Sequence, residues 1–383
     1  MSPMSSLLWG ILFLACLVNF GSGGILDSDR VTEFSISKPQ RVHYGSLSLE
    51  ATRSLFESFA DQYGKSYVSR AHKEKRFEIF RENLKQYDAK NAADKGSAVY
   101  GIDKFSDWTY EEFKQKMARL NVKALKEGVS ETYDDPSLEN VRAPKNFDWR
   151  EKGAVTPIKA QGSCGSCWAF STVANLEGLY QIKYKTLETF SEQQLVDCDP
   201  KSDGCKGGFM EDAVNYIKDA GGLQLNATYP YVARDQTCRF DKNLAVLKVK
   251  KNVMLPPRKE KKMAAYIFKN GPISIALDSF GMWGYRGGIA HPSESSCSKD
   301  LKGADHGIAF VGYGVQGTYL LIDIGMVGTR EPRGPVQRRG ISPSKVRLRV
   351  TLQLSFQNLK RAGSSKNYGL PKAAKSMESP VER

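Results

Sequence analysis

Apolar positions recur along this chain at spacings that predict distinct elements. Ala169, Val173, Leu176 and Tyr180 stand at i, i+4, i+7 and i+11, which lines one face of a buried helix with Cys167 in its first turn. Upstream, Arg76, Phe80, Asn83 and Tyr87 recur at spacings of 4, 3 and 4 on a long charged helix within residues 55–117. A second helical stretch is predicted at 111–120. Residues 121–142 turn polar and read as an exposed linker. Short apolar runs at 273–277, 307–311 and 319–322, separated by Gly and Pro, predict strands. The last strict pattern is Val346, Leu348, Val350, Leu352, Leu354 and Phe356 alternating with polar residues. It has a strand's period but lies in a basic tail, where accidental alternation is the favoured reading and a real strand would be an aggregation hazard.

Composition changes this picture in two places. The 383-residue chain is 40% hydrophobic and carries a net charge of +14, long enough for two or three packed domains. Residues 323–383 hold 13 Lys and Arg against 4 Asp and Glu, so a nucleic-acid partner rests on the tail alone and none is expected. Residues 7–18 form an apolar run followed by Gly21-Ser22-Gly23-Gly24, read as a signal peptide over 1–24 despite an n-region without Lys or Arg. Twelve residues are too few to cross a ~30 Å hydrocarbon core, so no stable membrane anchor is expected. Export places Cys164, Cys167, Cys198, Cys205, Cys238 and Cys297 where disulfides form. The same route makes the lone sequon, at Asn226, a candidate glycosylation site.

The candidate chemistry centres on Gln161-Gly162-Ser163-Cys164-Gly165-Ser166-Cys167-Trp168-Ala169-Phe170. It puts a thiol at a helix start, where the dipole favours a thiolate, six residues after a side-chain amide. A thioredoxin-like redox pair would want a βαβ context, and a zinc site a second clustered pair. Neither is present, which favours a nucleophile over those two alternatives. Cys198 and Cys205, in a Gly-rich loop, suit a disulfide better than a metal knuckle. His306 follows Asp305 and opens a strand. His43 and His72 precede the expected mature start and His291 sits in a Pro and Ser loop, which leaves His306 as the candidate base.

Together these residues resemble the papain-like cysteine proteases, with details most similar to the cathepsin F and cathepsin L branches, over about residues 55–322. Asp305-His306-Gly307 followed by Val311-Gly312-Tyr313-Gly314 carries the resemblance beyond the cysteine motif. Arg76, Phe80, Asn83 and Asn91 resemble the family's inhibitory helix, with His72 at its usual Glu position and Tyr87 at an aliphatic one. Gly101, Asp103, Phe105 and Asp107 resemble the second prosegment motif, with Asp103 in place of Asn.

The resemblance implies an α+β fold with a helical left domain and an antiparallel, barrel-like right domain, incomplete here, behind a helical prosegment. The divisions are 1–24 signal, 25–142 prosegment with its inhibitor domain at about 55–117, 143–322 peptidase domain, and 323–383 an unrelated tail without stable structure. It implies a secretory zymogen, lysosomal or extracellular, whose prosegment lies over the cleft in a non-productive direction and loosens as Asp107 and its neighbours protonate. Cys167 and His306 would act as a thiolate–imidazolium pair, with Gln161 and the Cys167 N–H stabilising the oxyanion. Gly207 and Gly208 would pair with a protein or peptide substrate's backbone. Phe209, Met210, Ala276 and Ala304 would line an apolar pocket for the side chain two residues before the scissile bond. The implied disulfides are Cys164 with Cys205 and Cys198 with Cys238; no metal or cofactor is implied.

The resemblance stops after residue 322. Tyr319-Leu320-Leu321-Ile322 resembles the strand leading to the family's Lys-Asn-Ser-Trp-Gly motif, but here Asp323-Ile324-Gly325-Met326-Val327 follows. An absent imidazole-orienting Asn is expected to lower turnover by ~10 to 10⁴, the upper figure being that of a serine triad. Cys297 resembles a half-cystine whose partner would lie in the replaced segment, a loss of about 2 to 5 kcal/mol. Set against this is a reading as an impaired enzyme whose prosegment inhibits related proteases.

Overall fold

The computed structural model describes residues 41–122, 133, 135–255, 261–290 and 303–314, and the backbone alone of 260, 315–316, 319–325, 340–341 and 360–361. The predicted signal run, Cys297 and the alternating 346–356 stretch lie outside the described residues.

The prosegment opens with α1 (Leu49–Gln62) and α2 (Arg70–Ala93), capped by the hydroxyls of Ser48 and Ser69. Of the predicted stripe, Phe80, Asn83 and Tyr87 lie on the buried face of α2 and Arg76 is half-buried; Phe77, Phe80, Leu84 and Tyr87 share one core with Phe56 and Phe59 of α1, and Asn83 and Asn91 are buried on the same face. Two amides on that face bind backbone. Asn83 Nδ2 donates to the carbonyls of Ser106 and Trp108, and Asn91 donates to the carbonyl and accepts from the N–H of Tyr100. Tyr100 belongs to β1 (Val99–Tyr100), and α3 (Tyr110–Met117) follows with a capping box between Thr109 and Glu112.

α3 is shorter than the predicted 111–120 helix. Leu120 leaves it for an isolated parallel bridge to Gly208, where tertiary pairing overrides helix propensity. The linker also departs from expectation. Leu138 is buried against the helix at 260–270, and the Tyr133 ring meets Tyr266 edge-on at 5.5 Å.

The body of the fold after the linker starts at β2 (Phe147–Asp148). Its helical half holds α4 (Cys167–Tyr184), α5 (Glu192–Cys198), α6 (Met210–Ala220), β3 (Leu223–Gln224) and β4 (Ala245–Lys248). Ala169, Val173, Leu176 and Tyr180 are all buried along α4. Its core is stapled by Cys164–Cys205 and Cys198–Cys238.

The strand half holds α7 (Glu260–Asn270), β5 (Ile273–Leu277), β6 (Tyr285–Gly287), β7 (Ile289–Ala290), β8 (His306–Gln316) and β9 (Tyr319–Gly325). β8 is central. One edge pairs with β5, from Ile273 opposite Phe310 to Leu277 opposite His306, and then with β2; the other pairs with β9. The six-stranded sheet runs β2, β8, β9, β10 (Gly340–Ile341), β7, with β5 on β8, and among the described residues it stays open rather than closing into the expected barrel-like form. Two tail dipeptides thus pair with the body: β10 between β9 and β7, and β11 (Lys360–Arg361) on β4.

The prosegment docks on the strand half. β1 pairs with β6, Lys90 Nζ donates to the carbonyls of Phe280 and Trp283, and Trp283 packs with Phe105, Phe113 and Met117.

Candidate active site

α4 begins at Cys167 because Ser166 breaks from helical geometry just before it and the loop ahead is fixed on both sides. Cys164 is tied to Cys205, and the Tyr231 hydroxyl donates to the Gln161 carbonyl at 2.7 Å while Ser166 Oγ lies 2.7 Å from the same hydroxyl. Gly165 has little freedom to change, since a Cβ there would lie 2.6 Å from the Cys205 carbonyl. From the other half, β8 presents His306. Ser171 Oγ of α4 donates to the Ile308 carbonyl at 2.7 Å, and Ser274 Oγ of β5 donates to the Ser171 carbonyl at 2.9 Å, locking helix to sheet.

Gln161, Cys167 and His306 are each at most 1% exposed. What covers them is the prosegment strand after α3. Gln161 Nε2 donates to the carbonyls of Met117 at 3.1 Å and Cys164 at 2.8 Å. The Gly208 N–H donates to the Arg119 carbonyl, the Asn121 N–H to the Gly208 carbonyl, and the Leu120 N–H to the Asp305 carbonyl. Gly208 is needed for a second reason: a Cβ would sit 2.5 Å from the Trp168 ring. Gly207 does not join this pairing, because its N–H and carbonyl bind Gly204 and Asp203 within its own loop. Leu120 shares one buried cluster with Phe209, Met210, Ala276 and Ala304.

Burial sets the charge state. It pushes the Cys167 thiol up to about 11, against the N–H groups of Gly307 and Arg119, which favour the thiolate. Burial also lowers the His306 imidazole to about 4, opposed by the facing Met117 carbonyl. Neither ring nitrogen has a partner at hydrogen-bond geometry among the described residues. In the covered site both groups are therefore neutral at pH 7, and the helix dipole expected to favour a thiolate is outweighed by desolvation.

Asp305, beside His306, accepts from the Ser279 N–H at 2.8 Å and from the Tyr110 hydroxyl of α3 at 3.3 Å, with Lys114 Nζ 3.7 Å away. Asp107 accepts from Lys65 Nζ and the Tyr67 hydroxyl. Asn226 is half-buried, its Oδ1 accepting from the Tyr231 N–H. Met117, Arg119, Leu120 and Tyr231 are the residues around the site that sequence reasoning missed. The one signal for them was a short apolar segment between a charged helix and a polar linker. Among the described residues no cluster of His, Cys, Asp and Glu could hold a metal ion.

Fold and site together define a thiol–imidazole cleft closed by its own N-terminal segment. Residues 143–323 match the family described as papain family cysteine protease, and residues 56–113 match the cathepsin propeptide inhibitor domain (I29). Cathepsin F of Drosophila melanogaster is 43% identical over 286 residues, covering 75% of this chain and 46% of that protein. Cysteine proteinase 15A of Pisum sativum is 39% identical over 276 residues, covering 70% of this chain and 74% of that protein. Among solved structures, digestive procathepsin L2 proteinase from Tenebrio molitor larval midgut aligns with a TM-score of 0.70 at 28% identity, over 80% of this chain and 100% of that one. The chain belongs to the papain family of cysteine proteases and carries the family's propeptide domain. It spans about half the length of the cathepsin F relatives it matches.

Proposed function

We propose that this chain is the zymogen of a papain-like cysteine endopeptidase whose prosegment inhibits it by lying backwards in the cleft. The observation that carries this reading is the order of the covering strand. A productive substrate would run from the apolar pocket toward the thiol. Here Met117 meets Gln161 first and Leu120 reaches the pocket cluster afterwards, so the chain runs from thiol to pocket, opposite to a productive substrate.

Once the strand leaves, water returns to the site and the two shifts relax. The His306 imidazole rises, the Cys167 thiol falls, and a thiolate–imidazolium pair becomes accessible. Cys167 then attacks the peptide carbonyl, Gln161 Nε2 and the Cys167 N–H stabilise the oxyanion, His306 protonates the leaving amine, and water resolves the acyl-enzyme. Substrates are proteins and peptides. The compartment is lysosomal or extracellular, supported by the apolar run at 7–18 and the two disulfides.

Incubating the full chain at about pH 4.5 and following hydrolysis of a fluorogenic peptide tests this directly. The expected result is turnover that appears as the prosegment is lost and is absent in Cys167→Ser. A chain that loses its prosegment yet hydrolyses nothing contradicts it.

One observation favours a second reading: the imidazole has no orienting partner among the described residues. On that reading the peptidase is slow and the prosegment acts on related proteases in trans. Failure of the full chain to slow such a protease removes it.

A further inference from the structure

His72 stands where the resemblance places a glutamate, and its surroundings give that difference a consequence. On α2, Arg76 Nε donates to His72 Nε2 at 3.2 Å, and His72 Nδ1 is buried without a partner among the described residues. A nitrogen that accepts carries no proton, so this contact requires the neutral ring with its hydrogen on Nδ1. Arg76 reaches onward: its Nη1 donates to the Asp107 carbonyl at 3.0 Å and to Glu112 Oε2 at 2.7 Å. Glu112 in turn caps α3, the helix whose C-terminal residue Met117 covers Gln161.

Among the described residues, the carboxylates bonded to the neighbours of the imidazole already have partners. On its own helix are Arg76 and Lys73, and Lys73 is bonded to Glu57 of α1. From the loop after α1, the Tyr67 ring meets the imidazole edge-on at 5.8 Å, and the Tyr67 hydroxyl and Lys65 Nζ both donate to Asp107. From α3, Glu112 is already bonded to Arg76 and to the Thr109 N–H.

We propose that His72 is the proton-sensitive latch of the prosegment, closed while its imidazole accepts from Arg76 and opened when protonation turns that contact into two adjoining cations. A glutamate at this position would hold Arg76 by charge until it was itself protonated, far below the range in which histidines gain a proton. Replacing it with histidine moves release toward weaker acid. The inference rests on the zymogen reading above, but its test needs no turnover.

The test uses the full chain carrying Cys167→Ser, which cannot cleave itself. Tryptophan fluorescence is followed from pH 7.5 to 4, since Trp108 and Trp283 lie in the aromatic cluster between prosegment and body. In a His72→Gln background, and again in His72→Glu, the opening midpoint is expected to fall by about one pH unit or more. The opening that remains belongs to His306 and the carboxylates. Thermal unfolding at pH 7.5 is the control, because a merely structural histidine would lower stability there and leave the midpoint in place. Should His72→Glu fold poorly, His72→Gln decides alone. An unmoved midpoint in His72→Gln, or a parent chain with no transition, overturns the proposal.

Discussion

The half of the catalytic body that carries Cys167 and the half that carries His306 hold their residues by different means. The helical half is tied covalently and ionically: two disulfides, and a Lys159 ammonium shared between Glu177 and Glu192 at 2.5 and 2.6 Å. Glu177 also accepts from Thr156 Oγ1 and the Phe190 N–H, so α4 is bound to the loop before it and the chain after it. The strand half has no disulfide among the described residues and places His306 by sheet register, opposite Leu277 at the first pair of β8 and β5, with hydrogen bonds to Asp305 and to the Ile308 carbonyl on either side. The nucleophile's half is closed by covalent ties across 40 and 41 residues. The imidazole's strand is held by hydrogen bonds to a partner strand at a similar distance along the chain, Leu277 opposite His306 and Ile273 opposite Phe310.

The largest break in this comparison is Lys159→Met. It strands two buried carboxylates and is expected to cost roughly 3 to 5 kcal/mol, read from the denaturant midpoint. The matched change in the strand half, Lys262→Met, removes a pair in which Glu139 is 65% exposed and is expected to cost under about 1 kcal/mol. Equal losses would erase the difference between the halves.

The next effect comes from pH. The His306 pKa is lowered on burial, so its contribution is fully present above the ordinary imidazole value of 6.5 and is lost as pH falls through about 4. That is roughly 3 kcal/mol favouring the open form in acid. Comparing stability at pH 7 and pH 4 for the Cys167→Ser chain with and without His306→Asn isolates it: the slope between the two pH values should flatten in the double variant. A smaller effect than either the Lys159 or the His306 change is Ser171→Ala, which removes the 2.7 Å tie from α4 to β8 and is expected to cost about 1 kcal/mol in thermal or chemical unfolding.

The two halves were also unequally legible. The stripe Ala169, Val173, Leu176, Tyr180 and the face Phe80, Asn83, Tyr87 have a helix's period, and both helices stand where it placed them. The strand at 307–311 extends to His306–Gln316, because Gly312 and Gly314 read as breaks but are held in the ladder by β2 and β9. Residues 118–120 read as helix, since the pairing with Gly208 that extends them is 88 residues away in sequence and leaves no local trace. Leu138 lay in a polar run with no periodicity to mark it as an anchor. That Cys167 and His306 share a site came from the family resemblance, because no spacing rule joins positions 139 apart.

The central claim is that the strand Met117 to Asn121 holds thiol and imidazole neutral by burying them. The direct measurement is the rate of Cys167 alkylation by iodoacetamide at about pH 5.5, in the full chain and in a Leu120→Asp variant that puts a charge into the apolar cluster. The account predicts slow labelling of the parent chain and labelling at least about tenfold faster in the variant, as a thiolate forms beside His306. Equal rates, with the variant's strand shown to have left the cleft, would contradict it.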